Sequence, residues 1–570
     1  MNIPRRLNAV FLGMALALPA LSSLAQGPDR LSDILDEEIK REMQVLGKQD
    51  PPVYYLSYRV DDISTVSVSA SFGALTRSDE AKARYLTLTV RVGSPTLDNF
   101  HQIRGQGNYA MLGMADLPLT DDRLAIRQVL WSATSDAYQQ AVATLSKVKA
   151  NIAVKAEEED KSPDFWLGQP NLFLEPPLKP EEILCDKGLF EKRLKKYSAA
   201  FLNDPAIFSG SSGFDFQIIR KYFVSSSGDK IAQNSTGARI SVSGVIKARD
   251  GMELPLMETY FAFKPTGLTS DETVLNDVNR LVTNLVALKE APIAEPYSGP
   301  ALLSGKAAGV FFHEIFGHRV EGQRMKNEDD SQTFKKKVNE LVLPAHLSVR
   351  CDPQAREFAG QALNGFYLYD DQGCPGRRVN VVENGILKGF LMSRTPIDGF
   401  PESNGHGRAQ CFMQPVARQS NLIVETSRSR TQPELRAEVV ALAKAQHKPY
   451  AYYFDEVVGG FTQTGRFMPN AFNVTPTLVY RVYTDGRPDE VVRGVDLIGT
   501  PLSMFSQIDQ AGGPTEVFNG VCGAESGGVP VSAICPMLVV KTIETQKRAK
   551  SQERPILLPR PDVKPEPISL

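Results

Sequence analysis

The sequence predicts an α+β protein: an N-terminal α/β domain followed by a strand-rich C-terminal domain that carries a metal-site helix. Three observations lead to this class. Helix-period and strand-period segments alternate through the first half, a Pro-rich break runs from Ala291-Pro292 to Gly299-Pro300, and beyond it come mostly short strands and turns with one His-bearing helix among them. The expected layout is an export segment over 1–25, an α+β domain over 26–295, a second domain over 296–548 and a Pro-rich tail over 549–570.

The first 25 residues are set apart by their grammar. Arg5 and Arg6 precede an apolar run from Ala9 to Leu21, and Ser23-Leu24-Ala25 supplies the small residues of a cleavage site before Gln26. That run is shorter than the roughly 20 residues that span a bilayer. The alternative is an uncleaved anchor or a buried helix. Cleavage and export make a soluble, periplasmic protein with no membrane span the expectation.

Asp29 to Leu46 reads as an amphipathic helix, because Leu31, Leu35, Ile39, Met43 and Leu46 recur at helical spacing between charges. Tyr54 to Val60, Thr65 to Phe72 and Tyr85 to Val92 are rich in Val, Tyr, Thr and Ser with partial alternation, as strands are. Ser135 to Glu158 and Pro180 to Leu202 read as helices, the second opening on Pro-Glu-Glu. Arg239 to Ala248 and Leu254 to Phe263 flank Arg249-Asp250-Gly251, a hairpin signal, and Ser270 to Glu290 is a long helix. In the second half, strands are expected at Ser348 to Arg350, Arg378 to Leu387, Ser420 to Glu425, Pro476 to Tyr483 and Met537 to Thr542, with a helix over Thr431 to His447.

Composition narrows the function. In 570 residues, 64 Lys and Arg stand against 66 Asp and Glu, with 42% apolar residues, six His and six Cys. Near-neutrality gives no support for nucleic-acid binding through a basic field, and the aliphatic content excludes a globally disordered chain. Without Arg5 and Arg6 the balance is 62 to 66, a net charge of −4. Cys185, Cys351, Cys374, Cys411, Cys522 and Cys535 are an even set that an oxidising compartment could pair, but they contain no CxxC.

The segment from Ser304 to Glu321 carries the chemistry. Ser304 can cap a helix, and His313-Glu314 followed by His318 is an HExxxH, one residue longer than the HExxH of zinc peptidases. On a regular helix an i,i+5 pair lies about 140° apart, against about 40° for i,i+4. The helix must therefore end or distort between the histidines if both bind one ion. A π-bulge is one way, and Gly317, tolerant of unusual backbone angles, is the place. Convergent imidazoles suit Zn²⁺ with a position left for water, and Glu314 would serve as general base. The alternative is two unrelated surface or helix-terminal histidines.

His313, Glu314, His318 and Glu321 together resemble the TldD/PmbA family of metallopeptidases, in its motif-bearing TldD type. Three further stretches resemble that family: Ser403-Asn404-Gly405-His406-Gly407-Arg408, Ala417-Arg418-Gln419-Ser420-Asn421, and Gly520-Val521-Cys522-Gly523 with Val529-Pro530-Val531-Ser532. The resemblance covers about residues 300 to 545. It implies that Cys522 is the third metal ligand, beside the physical point that a thiolate binds Zn²⁺ strongly. A disulfide from Cys522 to Cys535 is the alternative.

The resemblance implies a metallopeptidase with one Zn²⁺ per subunit held by His313, His318 and Cys522, Glu314 as the catalytic base, and Glu321 orienting a ligand imidazole. Its substrate is an unfolded or extended polypeptide, and the protein is a homodimer or a heterodimer with a PmbA-type subunit. His406 and Arg408 are candidate substrate contacts. His346 and His447 read as surface residues. A non-catalytic, chaperone-like peptide-binding partner that keeps a structural metal is the second reading.

Overall fold

The computed structural model describes residues 30–103, 113–154, 159–467, 471–548 and 561. The expected export segment and, apart from residue 561, the Pro-rich tail lie outside them. The first half is built on an eight-stranded sheet whose central neighbours are Ala74–Ser94, Val53–Ser71, Ile207–Ser225 and Lys230–Lys247, all antiparallel. Alternation decides what each face meets. On Val53–Ser71 the even-numbered Leu56, Tyr58 and Val60 pack against helices Arg30–Leu46 and Arg123–Val154, while Val68 and Ala70 pack against Lys187–Ala199 and Asp271–Glu290. All four helices therefore cover one face, which makes this half α+β.

The opposite face is polar and is closed by the second half. Arg59 donates to Asp61 Oδ2 at 2.9 Å and to the Ala409 carbonyl at 3.1 Å, Lys221 donates to Asp371 Oδ1 at 3.0 Å, and Gln233 donates to the Tyr369 carbonyl at 2.8 Å. At the centre of this contact Arg394 Nη2 donates to Asp229 Oδ2 at 2.9 Å, with both side chains fully buried. Asp229 also accepts from Ser225 Oγ at 2.7 Å and from the Asn171 amide at 2.9 Å.

The chain leaves the first sheet after Asp271–Glu290 and enters the second at Tyr297–Leu303. The long strand Gly527–Lys547 organises this twelve-stranded sheet. It pairs with Ile508–Ala524, Asn421–Thr426, Val495–Gly499 and Tyr297–Leu303, and the path through Phe472–Tyr483 and Tyr450–Thr462 closes five strands on themselves. Helix Gly305–Ile315 is enclosed against these strands, with every residue except Lys306 buried. An α-helix apolar nearly all round belongs inside a protein, and Phe311, Phe312 and Ile315 lie in the largest core cluster.

Several expected elements change in extent. Tyr54 to Val60 and Thr65 to Phe72 are parts of one strand, Val53–Ser71, because the intervening Asp61 and Asp62 are held in the sheet by Arg59 and Arg84. The helix expected from Ser135 starts at Arg123. Pro180-Glu-Glu forms only a 3₁₀ turn, and the α-helix begins at Lys187, capped by the Asp186 side chain. Met537 to Thr542 is the middle of Gly527–Lys547. No helix among the described residues is long and apolar enough to cross a membrane.

Asp229→Ala leaves the Arg394 charge buried without its partner. Unfolding free energy should fall by about 3–5 kcal/mol. Denaturant titration checks this, and an unchanged midpoint would contradict the clamp.

Candidate metal centre

Ser304 starts the helix: its hydroxyl accepts from the Ala307 amide at 3.1 Å and donates to the Asp455 carbonyl at 2.6 Å. Apolar contacts then carry the chain to Ile315, where the α-helix ends. Phe316 (φ −116°, ψ −53°) leads into a single 3₁₀ turn, Gly317–Val320. The break swings His318 round to the side of His313, and the two rings lie 4.9 Å apart at 85°. The expected interruption is therefore a helix end followed by a tighter turn, not a π-bulge. Gly317 is needed for space: a Cβ there would collide with the side-chain amide of Gln419, which donates to the His313 carbonyl at 3.3 Å. Buried Arg319 satisfies the open helix end, donating to the carbonyls of Glu314 at 2.8 Å and Ile315 at 3.3 Å, and also reaches the Gln463 carbonyl at 3.2 Å.

The third donor arrives from the other end of the domain. In the hairpin of Ile508–Ala524 and Gly527–Lys547, Cys522 lies opposite Val529, and Cys535 lies opposite Glu516. All six cysteines are free thiols, so the pairing of Cys522 with Cys535 does not occur. Cys522 Sγ lies 3.1 Å from His313 Nε2 and 3.3 Å from His318 Nε2. The three donor atoms lie within 4.8 Å of one another, the one such cluster among the described residues. A tetrahedral site with bonds of about 2.0–2.3 Å has N···S edges of about 3.5 Å, so small shifts would admit Zn²⁺.

A buried polar shell fixes these donors. Glu321, fully buried, meets His318 Nδ1 at 3.1 Å and accepts from Arg324 Nε at 2.9 Å. Arg324 also donates to Glu525 Oε2 at 2.9 Å. Arg418 donates to the Cys522 carbonyl at 2.6 Å, to Ser526 Oγ at 2.7 Å and to the Gly527 carbonyl at 2.9 Å, while its Nε lies 3.6 Å from Glu321 Oε1. Burial alone would neutralise Glu321, but His318 and Arg324 outweigh it and hold the carboxyl down at about 2. Burial likewise opposes charge on His318, yet Glu321 and Cys522 raise its pKa well above the ordinary value. The Cys522 thiol is held well below its usual range, as His318 and His313 overcome the effect of burial.

Glu314 follows the first histidine and lies against Gly460, where a Cβ would come 2.9 Å from Glu314 Cγ. Burial raises its pKa, with the two imidazoles only partly offsetting this. His313, Glu314, His318 and Cys522 all line a cavity of about 830 Å³. Its walls include two strand edges that have no neighbouring strand among the described residues. Tyr297–Leu303 pairs with Tyr450–Thr462 only as far as Phe454, and Ser429–Arg430 pairs with Ile508–Ala524 only at Ala511 and Gly512. Phe461 and Val521 lie at its rim, 62% and 66% exposed.

His406 and Arg408, expected as substrate contacts, lie outside this cavity. His406 is fully buried, with Nδ1 3.0 Å from Asn404 Oδ1 and Nε2 3.3 Å from Ser420 Oγ, and burial beside Arg408 holds it down at about 3. Arg408 donates to the Gln419 carbonyl at 2.6 Å and sits 4.7 Å above the Tyr367 ring. Their polar atoms are used in supporting the segment behind the metal cluster. Sequence reasoning did not single out Arg319, Arg324 or the cavity residue Lys306, and it quoted Arg418 only within the stretch Ala417 to Asn421, with no role assigned. Lys306 carries a local signal, since Lys306, Val310, His313 and Glu314 share one helical face.

Comparison with known proteins agrees with this architecture. Residues 296–547 match the PmbA/TldA metallopeptidase C-terminal domain. The chain is 25% identical over 368 residues to Metalloprotease MJ0996 of Methanocaldococcus jannaschii, covering 62% of this chain and 70% of that protein. It is 24% identical over 348 residues to the Zinc metalloprotease TldD homolog of Saccharolobus solfataricus, covering 60% and 72%. A metalloprotease of Archaeoglobus fulgidus aligns over 42% of this chain and 51% of its own length, at 28% identity. The crystal structure of TldE from Thermococcus kodakarensis superposes with a TM-score of 0.60 at 14% identity, covering 89% of this chain and 100% of that one. Residues 296–547, which hold the HExxxH helix and the Cys522 hairpin, thus carry the PmbA/TldA metallopeptidase C-terminal domain, and the chain is similar to metalloproteases, a TldD homolog among them.

Proposed function

We propose that this protein is a zinc-dependent peptidase of the TldD type that hydrolyses unfolded or extended polypeptides. The observation that carries the reading is the meeting of His313, His318 and Cys522 beside the Glu314 carboxyl on one cavity wall. Two imidazoles and a thiolate are a donor set suited to Zn²⁺ and leave room for a further ligand. When bound, the ion supplies Lewis acidity that makes water nucleophilic near neutral pH. Glu314 takes the proton from the attacking water and returns it to the amine nitrogen as the C–N bond breaks. Its elevated pKa suits both halves of that exchange. The unpaired edges of Tyr450–Thr462 and Ile508–Ala524 offer main-chain hydrogen bonds to an extended peptide, giving affinity with little dependence on side chains. Export to the periplasm and a dimer, with a second copy or a PmbA-type subunit, belong to the same reading. The N-terminal signal grammar supports the first and the likeness to TldE supports the second.

Glu314→Gln should lower hydrolysis of a casein-like unfolded substrate about 10²–10⁴-fold with zinc content unchanged. Equal turnover by variant and wild type would remove the mechanism.

Zinc affinity should rise with pH. His318 is held protonated without metal, and only neutral imidazole binds the ion, so binding expels a proton. Below the raised pKa of His318, each pH unit gained should strengthen apparent binding by up to about tenfold per proton released. Chelator competition between pH 6 and 8 measures the slope, and a flat profile would contradict it.

Glu321→Gln removes the charge that orients and protonates His318. Zinc affinity should fall about 10–100-fold, with a shallower pH slope, in the same competition assay.

A further inference from the structure

Away from the metal cluster, the cavity wall carries a cation with no carboxylate bound to it among the described residues. Arg239, on Lys230–Lys247 of the first sheet, lines the cavity; its Nη1 donates to the Asn519 carbonyl at 3.1 Å, and its guanidinium sits 5.7 Å from the centre of the Phe261 ring. Among the described residues, the carboxylate that acts on it is Asp215, its cross-strand neighbour, which already accepts from Ser67 Oγ at 2.7 Å. Burial outweighs that influence and pulls the Arg239 pKa down, as expected for a cation without a counter-charge. Lys306 on the same wall is different, because it lies 3.1 Å from Glu456 and 3.6 Å from Glu258.

The position of Arg239 is fixed by its acceptor. Asn519 Nδ2 donates to the Ala362 carbonyl at 2.9 Å, and its Oδ1 accepts from Ser532 Oγ at 2.7 Å and from the Asn364 amide at 3.0 Å. Asn519 precedes the ligand Cys522 by three residues on one strand, a rise of about 10 Å. An extended peptide running beside that strand covers the same distance in about three residues.

We infer that Arg239 is a specificity-determining residue that binds a carboxylate of the polypeptide about three residues from the bond that is cleaved, an assignment that rests on the peptidase reading. The guanidinium fork suits a carboxylate, and a partly desolvated, charge-assisted pair is strong enough to rank substrates. The carboxylate is either an Asp or Glu side chain or the free C-terminus of the chain.

The test uses extended peptides in matched pairs, Asp against Asn along the chain and free against amidated C-terminus, measured two ways. Binding is measured to the zinc-loaded Glu314→Gln protein, and turnover, with the cleavage position, on protein with Glu314 intact. The carboxylate peptide should bind about tenfold or more tightly than its neutral partner. The Asp/Asn and free/amidated contrasts tell the two sources apart. Arg239→Gln should abolish the contrast, mainly through KM, and Arg239→Lys should retain part of it, with zinc content and circular dichroism confirming that both variants fold. No preference in the wild type, or a preference that survives Arg239→Gln, overturns the assignment. Preferential binding without any hydrolysis would instead overturn the peptidase reading and with it the place relative to a cleaved bond, leaving Arg239 as a carboxylate-binding residue, and hydrolysis without preference would overturn only Arg239.

Discussion

The buried charge of Glu321 is the constraint on which the rest of the centre depends. A carboxylate taken wholly out of water costs several kcal/mol unless it is paired and hydrogen-bonded. Its partners come from different parts of the chain: His318 and Arg324 from the turn after the helix, and Arg418 from the segment leading into Asn421–Thr426. Arg418 in turn grips the backbone of Cys522 and the hairpin turn beyond it. Satisfying one carboxylate thus brings both sides of the donor set together. A loose Arg418 would free the cysteine as well as unbalance the acid.

The helix shows why the longer histidine spacing works. Gly305–Ile315 is enclosed, so its direction is set by packing and not by the metal. The α-helix stops at Ile315, and the chain passes through Phe316 into a 3₁₀ turn with Gly317 pressed on Gln419, so that His318 is no longer tied to the offset of about 140° of an i,i+5 pair on one continuous helix. Arg319 then accepts the cost of ending a helix in the interior by donating to its last carbonyls.

Much of this was legible in the sequence, for identifiable reasons. Long periodic segments such as Asp271–Glu290 and the hairpin around Asp250 depend on local pattern, and so does the need for a break between His313 and His318. What could not be read depends on partners remote in sequence. Asp61 and Asp62 look like a turn until Arg59 and Arg84 are seen beside them. His406 and Arg408, in a loop rich in Ser, Asn and Gly, look exposed, yet the segment before Asn421–Thr426 and the Tyr367 ring bury them. Arg239 is one residue in an alternating strand, and its place on the cavity wall follows only from how the bare face of the first sheet meets the second half.

The separation of the donors along the chain also sets an order of events. His313 and Cys522 are 209 residues apart, and the hairpin bearing Cys522 is held by a strand that continues to Lys547. A ribosome that has made the HExxxH helix has produced two of the three donors and none of the hairpin that completes them. Assembly of the three-donor cluster therefore belongs to the last stage of maturation, after the closing strand has entered its sheet. Until then the nascent protein holds the Glu314 carboxyl without the cluster beside which it comes to lie.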